Sequence, residues 1–238
     1  MMAWKLYSNF GERDVAWWAW LMSALFLLGG SMSAKDPLKI YRSRRDLTIS
    51  PEPRGGPTTS VRRAGKKKPS KQLKFVIQKH AASHLHYDLR LEIDGVMVSW
   101  AVPKGPSLNP SIKHLAMRTD DHPLEYANFE GIIPEGSYGA GTVMIWDAGT
   151  YRNIKKKDNK LVPMEQCLKN GQIEVFLNGE VLQGGFALIE TARGWLLIKM
   201  NDEYASARRN PVSTHKKSVK TGRTMTQIRK ESKKKGMQ

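Results

Sequence analysis

The chain is poor in cysteine, in acidic residues and in long apolar runs, and each shortage removes a class of explanation. Cys167 is the only cysteine, so no intrachain disulfide can form and nothing in the fold relies on an oxidising compartment. A cytoplasmic location is expected. Carboxylates are outnumbered, 22 Asp and Glu against 39 Lys and Arg for a formal charge of +17, which points to an anionic partner such as nucleic acid or a membrane surface. The most apolar stretch, Val15 to Gly30, is shorter than the roughly 20 residues that span a bilayer comfortably. Lys5, Glu12, Arg13 and Asp14 precede it, a balanced set where a secretory signal has a positive region. Residues 1–31 are therefore set aside as an apolar N-terminal extension, a misassigned start ahead of Met32 or a signal-like segment, with secretion or membrane anchoring as the minority reading. A phosphate-cradling G-x-x-x-x-G-K-[ST] loop is also missing. Gly131, Gly136, Gly139 and Gly141 lie in no strand-to-helix context and read as a tight connection.

The positive charge that is present sits in the flanks. Residues 35–72 carry 12 basic and 3 acidic groups and residues 207–238 carry 11 and 1, whereas residues 73–206 carry 14 and 16. A slightly acidic centre between two cationic arms suggests that the arms tether a polyanion while the centre does chemistry. Residues 32–72, rich in Pro, Gly, Ser, Arg and Lys, have too little apolar surface to offset the entropy of ordering and are expected to form a flexible basic arm. Residues 207–238 show no apolar periodicity and are expected to form a basic disordered tail.

Residues 73–206 read as the single folded domain. FVIQKH, HLHYDLRLEI, VMVSWAV, GTVMIWDAGTY, QIEVFL and GWLLIKM are short strand-like runs, separated by turn signals such as Asp94-Gly95, Lys104-Gly105-Pro106 and Gly184-Gly185. One helix is expected around Met164 to Lys169, and a two-residue hairpin turn at Asn178-Gly179. The expected class is mainly β, an antiparallel sandwich or barrel with few short helices and basic flanks.

Chemistry concentrates in His80-Ala-Ala-Ser-His84-Leu-His86-Tyr-Asp88-Leu-Arg90-Leu-Glu92. In a strand, side chains alternate, so His84, His86, Asp88, Arg90 and Glu92 share one face and the apolar residues between them share the other. A solvated face uses Lys, Glu, Thr and Ser; two imidazoles and a carboxylate suit a transition metal instead. His80 supplies a third ligand if the chain bends between residues 80 and 85, and His84 is taken as a bystander. A guanidinium beside a cation repels it unless an anion lies between, which makes Arg90 a phosphate contact; the plainer alternative pairs Arg90 with Glu92 or Asp120. His122, in Asp120-Asp121-His122-Pro123, is placed to donate a proton or stabilise a transition state, or merely caps a turn. Lys104 is an exposed loop lysine with a phosphate contact as its functional reading.

QKHAASHLHYDLRLE, SWAVPKGPS, DHPLEYANFEGIIPEGSYGAGTVMIWDAGTY and WLLIKM, in that order, resemble the 3′-phosphoesterase module of the bacterial end-joining enzyme DNA ligase D and its free-standing relatives. The likeness runs from Leu38 to Asp202, and its opening LKIYRSRRDLTISPEP supports a start at Met32. The polymerase and ligase modules of the larger enzyme have no counterpart here. The resemblance implies a compact antiparallel β-barrel with an outward-facing polar site that holds manganese or another divalent transition metal on His80, His86 and Asp88. It further implies that Arg90 supports the phosphate, that His122 is catalytic, and that Lys104, Tyr126 and Gln78 occupy active-site positions. Arg45, Asp46 and Glu52 match N-terminal positions linked to activity, so the arm is expected over the site despite its linker-like composition. Two departures stand out: His114 replaces the usual arginine, and Asp120 the usual glutamate. Binding by His114 should weaken as pH rises through about 6.5, the ordinary imidazole value.

The implied activity removes 3′-phosphates and 3′-terminal ribonucleotides from DNA or RNA–DNA primer-template ends to leave a 3′-OH. A DNA ligase and Ku-type end-joining proteins are the implied partners, no small-molecule cofactor is needed, and a monomer is expected. Two rivals remain at this stage. One is a cupin-like non-haem iron oxygenase using His86, Asp88 and His122, in which Arg90 and Lys104 have no role. The other is a non-catalytic nucleic-acid-binding module, separated from the enzyme only by turnover.

Overall fold

The computed structural model describes residues 36–56 and 72–235; the expected N-terminal extension, residues 1–31, and much of the basic arm lie outside them. The described elements are α1 (Lys39–Ser43), β1 (Leu73–Ala81), β2 (Leu85–Ile93), β3 (Val96–Val102), β4 (Lys113–Arg118), a 3₁₀ turn (Leu124–Asn128), β5 (Gly131–Ile133), β6 (Gly141–Asn153), β7 (Lys156–Lys157), β8 (Lys160–Leu161), α2 (Met164–Lys169), β9 (Gln172–Gly179), β10 (Gln183–Thr191), β11 (Gly194–Lys199), α3 (Pro211–Thr214) and α4 (Met225–Lys235). The strands run in the order β1-β2-β3-β4-β11-β10-β9-β6, and β6 pairs back onto β1 to close an antiparallel barrel of eight strands. Closure removes the exposed edges that an open sheet would leave. The fold class is therefore as the sequence indicates, and the helix falls at Met164–Lys169.

Alternation along β2 sets the two faces. Tyr87, Leu89, Leu91 and Ile93 enter the barrel core with Trp100, Trp146 and Trp195, while Asp88 and Arg90 point outward. Those outward residues are nevertheless buried, at 5% and 3% exposure, because further chain packs over that face. Tyr41, Tyr126, Phe129, Ile133 and Val143 form a small apolar cluster there, and Val76, Met97 and Ile145 form another. β6 reaches β1 closely at Gly141, where φ is +145° and a Cβ would lie 2.3 Å from the Ala81 carbonyl oxygen; only glycine fits. This is the tight connection expected of the glycine-rich stretch.

Three expectations need correction. The hairpin between β9 and β10 turns at Glu180-Val181, two residues beyond Asn178-Gly179: Gly179 N–H donates to the Leu182 carbonyl. The buried Asp147 carboxylate decides this, accepting hydrogen bonds from the N–H groups of Glu180, Val181 and Leu182 at 2.9–3.0 Å, and a side-chain acceptor on β6 is invisible to a local turn rule.

The segment after residue 206, expected to be disordered, packs against the barrel as far as it is described. Val219 N–H donates to the Ile145 carbonyl, Arg223 pairs with Glu130 at 2.8 Å and Ile228 in α4 is 1% exposed. A few well-spaced anchors replace the continuous apolar stripe whose absence suggested disorder. Likewise, residues 36–56 of the arm are folded. Leu38 and Tyr41 are 1% and 0% exposed, each contributing on the order of 2 kcal/mol of burial towards the ordering entropy. Among the described residues no helix is long and apolar enough to cross a membrane.

Candidate active site

The β1–β2 hairpin places the metal-ligand candidates by register. His80 lies directly opposite His86, and Gln78 opposite Asp88, so residues far apart in a single-strand reading meet across two strands. Ligand atoms of His80, His86 and Asp88 lie within 4.8 Å of one another, with His80 Nδ1 3.6 Å from Asp88 Oδ2 and His86 Nε2 3.5 Å from Asp88 Oδ1. His86 Nδ1–H donates to the His84 carbonyl at 2.9 Å, which leaves Nε2 as the bare lone pair turned to the cluster, the tautomer that second-sphere bonds impose on metal-binding imidazoles. His84 thus acts through its backbone, and its imidazole stays outside the group.

Electrostatics suit a cation. Burial, the largest influence, holds His86 below its ordinary pKa and so in the neutral, ligating form. Burial pushes the Asp88 carboxyl up, but the Arg90 guanidinium beside it outweighs that and keeps the group an anion. His80 Nε2 is buried with no hydrogen-bond partner among the described residues. His80 turns its other nitrogen, Nδ1, to Asp88, and two imidazoles beside a buried carboxylate are a donor set that a divalent transition metal completes.

Arg90 is held from every side. Its Nε donates to Gln78 Oε1 at 2.7 Å, Nη1 to Ser99 Oγ at 2.8 Å, and Nη2 to Asp88 Oδ2 at 3.0 Å; Gln78 is fixed in turn by donating to the Tyr126 and Phe129 carbonyls. Arg90 thus pairs with Asp88, not with Glu92 or Asp120. Nη1 also lies 2.9 Å from His122 Nδ1, and Arg45 Nη2 lies 3.2 Å from His122 Nε2. Burial first, then the two guanidiniums, drive the His122 pKa well below that of a free imidazole, so the ring is neutral at pH 7. The cluster of converging ligand atoms comprises His80, His86 and Asp88 and does not include His122, contrary to the set the oxygenase reading required.

The arm closes this constellation. Arg45 Nε donates to Glu52 Oε1 at 3.0 Å, and the same oxygen accepts from the Tyr126 hydroxyl at 3.0 Å. Arg44 and Arg45 both reach Asp120, at 2.9 and 3.5 Å. Tyr126 is buried with its hydroxyl pKa pushed far up by that burial, so it acts as a donor. Asp46 does not join: its carboxylate accepts from the Thr48 N–H and hydroxyl at 3.0 and 2.5 Å and shapes the arm's own turn. Lys104 and His114 stand apart as a pair at the barrel end, where His114 Nδ1–H donates to the Gly105 carbonyl at 2.5 Å. Sequence reasoning missed Ser99 and Tyr41. The Tyr41 ring packs 5.1 Å from His122 and 4.1 Å beneath the Arg45 guanidinium. A serine on a strand and a tyrosine in a polar arm carry no local signal of either role.

Comparison with known proteins points to one family. The profile of the DNA ligase D 3′-phosphoesterase domain matches residues 78–190. The multifunctional non-homologous end joining protein LigD of Pseudomonas aeruginosa is 43% identical over 176 residues, covering 72% of this chain and 19% of the relative. The corresponding DNA repair protein of Mycobacterium tuberculosis is 46% identical over 171 residues, covering 71% and 20%, and that of Mycolicibacterium smegmatis 45% over 174 residues, covering 71% and 21%. The chain thus spans about a fifth of the length of these relatives. With the ligand hairpin, Arg90 and His122 all inside the matched segment, the chain belongs to the DNA ligase D 3′-phosphoesterase domain family.

Proposed function

We propose that this protein is a divalent-metal-dependent phosphoesterase that heals 3′ ends of nucleic acid during end joining, removing a 3′-phosphate or a terminal ribonucleotide to leave a 3′-OH. The observation that carries the reading is the contact between Asp88, one of three clustered ligand candidates, and Arg90, which also reaches His122. Manganese is the metal proposed. When bound by His80, His86 and Asp88 it would supply Lewis-acid neutralisation of phosphoryl oxygen charge.

The protein's own groups supply the rest. Arg90 and Arg45 flank His122 with fixed guanidiniums, which bind phosphoryl oxygens without reorganising. A neutral His122 donates its Nδ1–H to the Asp120 carbonyl and keeps Nε2 as a lone pair facing Arg45; the dianionic phosphate, once between the guanidiniums, offsets their effect and makes protonation of Nε2, and so proton donation to the leaving oxygen, easier. Gln78 and Ser99 orient Arg90, while Glu52, shared by Arg45 and Tyr126, locks the arm over the site. Lys104 and His114 are read as contacts to the terminal phosphate. DNA ends, a ligase and Ku-type proteins are the proposed partners, in line with the relatives' names.

The test is release of phosphate from a 3′-phosphorylated primer by His86→Ala and His122→Ala proteins that melt like the wild type. Loss of release in both supports the assignment; full activity in either overturns it.

A further inference from the structure

Among the large apolar residues that the described fold leaves exposed, Tyr138 is the one aromatic, at 42% exposure. A single exposed apolar residue is ordinary, and what singles this one out is where it stands. Tyr138 lies in the β5–β6 loop, whose next residue, Gly139, takes a φ of +78° and passes beside the His80 imidazole: a Cβ there would lie 3.9 Å from His80 Cε1. Two turns fix the loop, with Ser137 N–H donating to the Pro134 carbonyl and Ala140 N–H to the Ser137 carbonyl. The ring therefore stands at the rim of the His80, His86 and Asp88 group, outside the barrel core.

Two guanidiniums of the arm hold the ring. Arg44 Nη1 donates to the Tyr138 hydroxyl at 3.3 Å, and its Cζ lies 5.3 Å from the ring centroid. Arg45 Cζ lies 5.1 Å from the same centroid. Because the Arg45 side chain is 4% exposed, its contact takes the buried side of the ring and the open part faces away from it. Arg45 also reaches His122 Nε2 at 3.2 Å. One guanidinium thus touches both the ring and the imidazole proposed to act on phosphate, which brings the two within the reach of a single nucleoside.

We propose that Tyr138 is a base-stacking residue: the nucleobase of the 3′-terminal nucleoside, whose sugar carries the phosphate to be removed, lies on the open part of its ring. This rests on the functional reading above. A tyrosine offers a large, rigid stacking surface, and every base has a π face to lay on it. Stacking leaves the Tyr138 hydroxyl free to keep its bond with Arg44. The subsite therefore separates a terminal nucleoside from a baseless sugar phosphate, and is tolerant of which base is present.

The test uses two 3′-phosphorylated primers alike except at the last residue, which is thymidine in one and an abasic tetrahydrofuran in the other. KM and kcat for phosphate release with manganese are measured for the wild type, Tyr138→Ala and Tyr138→Phe, each checked by its melting temperature. On the thymidine primer Tyr138→Ala should raise KM about tenfold with kcat unchanged, and Tyr138→Phe should match the wild type. The wild type should show a similarly raised KM on the abasic primer, where Tyr138→Ala makes no further difference. Equal KM increases on both primers would reduce the ring to a support for Arg44, and an unchanged KM on the thymidine primer would remove the contact; either result overturns the proposal. A wild type indifferent to the terminal base overturns it whatever the variants do. If the wild type releases no phosphate from either primer, the functional reading fails, while fluorescence anisotropy with the same two primers still decides whether ring and base interact.

Discussion

Arg90 Nη2 donates to Asp88 Oδ2 at 3.0 Å, and that bond joins the hairpin of ligand candidates to the His122 side of the site. The guanidinium uses separate N–H groups for Gln78, Ser99 and Asp88, a fork that an ammonium cannot reproduce. Arg90→Lys is expected to lower kcat/KM for phosphate release by roughly a hundredfold. Calorimetric titration should still show one manganese bound, since all three ligand candidates remain.

Arg45 joins the arm to His122 and Glu52. Arg45→Met removes a guanidinium from His122 Nε2 and from Glu52, whose side chain is fully buried. Leaving that carboxylate unpaired costs about 3 kcal/mol, read as a lower midpoint in denaturant. The His122 imidazole should titrate higher than in the wild type, since Arg45 is one of the charges lowering it. NMR titration of the ring checks this, and an unmoved His122 would contradict the assigned contact.

The strand alternation in HLHYDLRLE made the polar face, and hence Asp88 and Arg90, readable from sequence, and the helix at Met164–Lys169 was equally local. His80 could be placed only conditionally, because its meeting with His86 depends on cross-strand register. Composition misjudged the arm and the C-terminal segment for one physical reason: each is held by sparse anchors whose partners, such as Glu130 for Arg223 or Tyr126 for Glu52, lie more than 70 positions away. Asp147 is the same kind of case, a β6 side chain that sets a turn in the β9–β10 hairpin.

If His114 contacts the terminal phosphate as proposed, it gives binding a pH dependence that an arginine would not. Burial, and then Lys104, hold its pKa below the ordinary 6.5, so its charge is present only at acid pH and is lost as pH rises, in a window below the one sequence alone suggests. KM for a 3′-phosphate end should therefore rise as pH is raised through the range below the ordinary 6.5 and level off at neutral pH. His114→Arg should flatten that profile and lower KM several-fold at neutral pH.

Asp147 offers a stability test remote from the chemistry. Asp147→Ala strips the turn N–H groups of Glu180, Val181 and Leu182 of their acceptor, an expected loss of about 3 kcal/mol. Denaturant unfolding measures it, and KM should not change.

The central claim is that His80, His86 and Asp88 hold a metal that the reaction needs. Metal-stripped protein should be incubated with a 3′-phosphorylated primer-template, with and without added manganese, and inorganic phosphate measured. The account predicts release only in the presence of the metal. Equal release in its absence, or none under either condition, would contradict it.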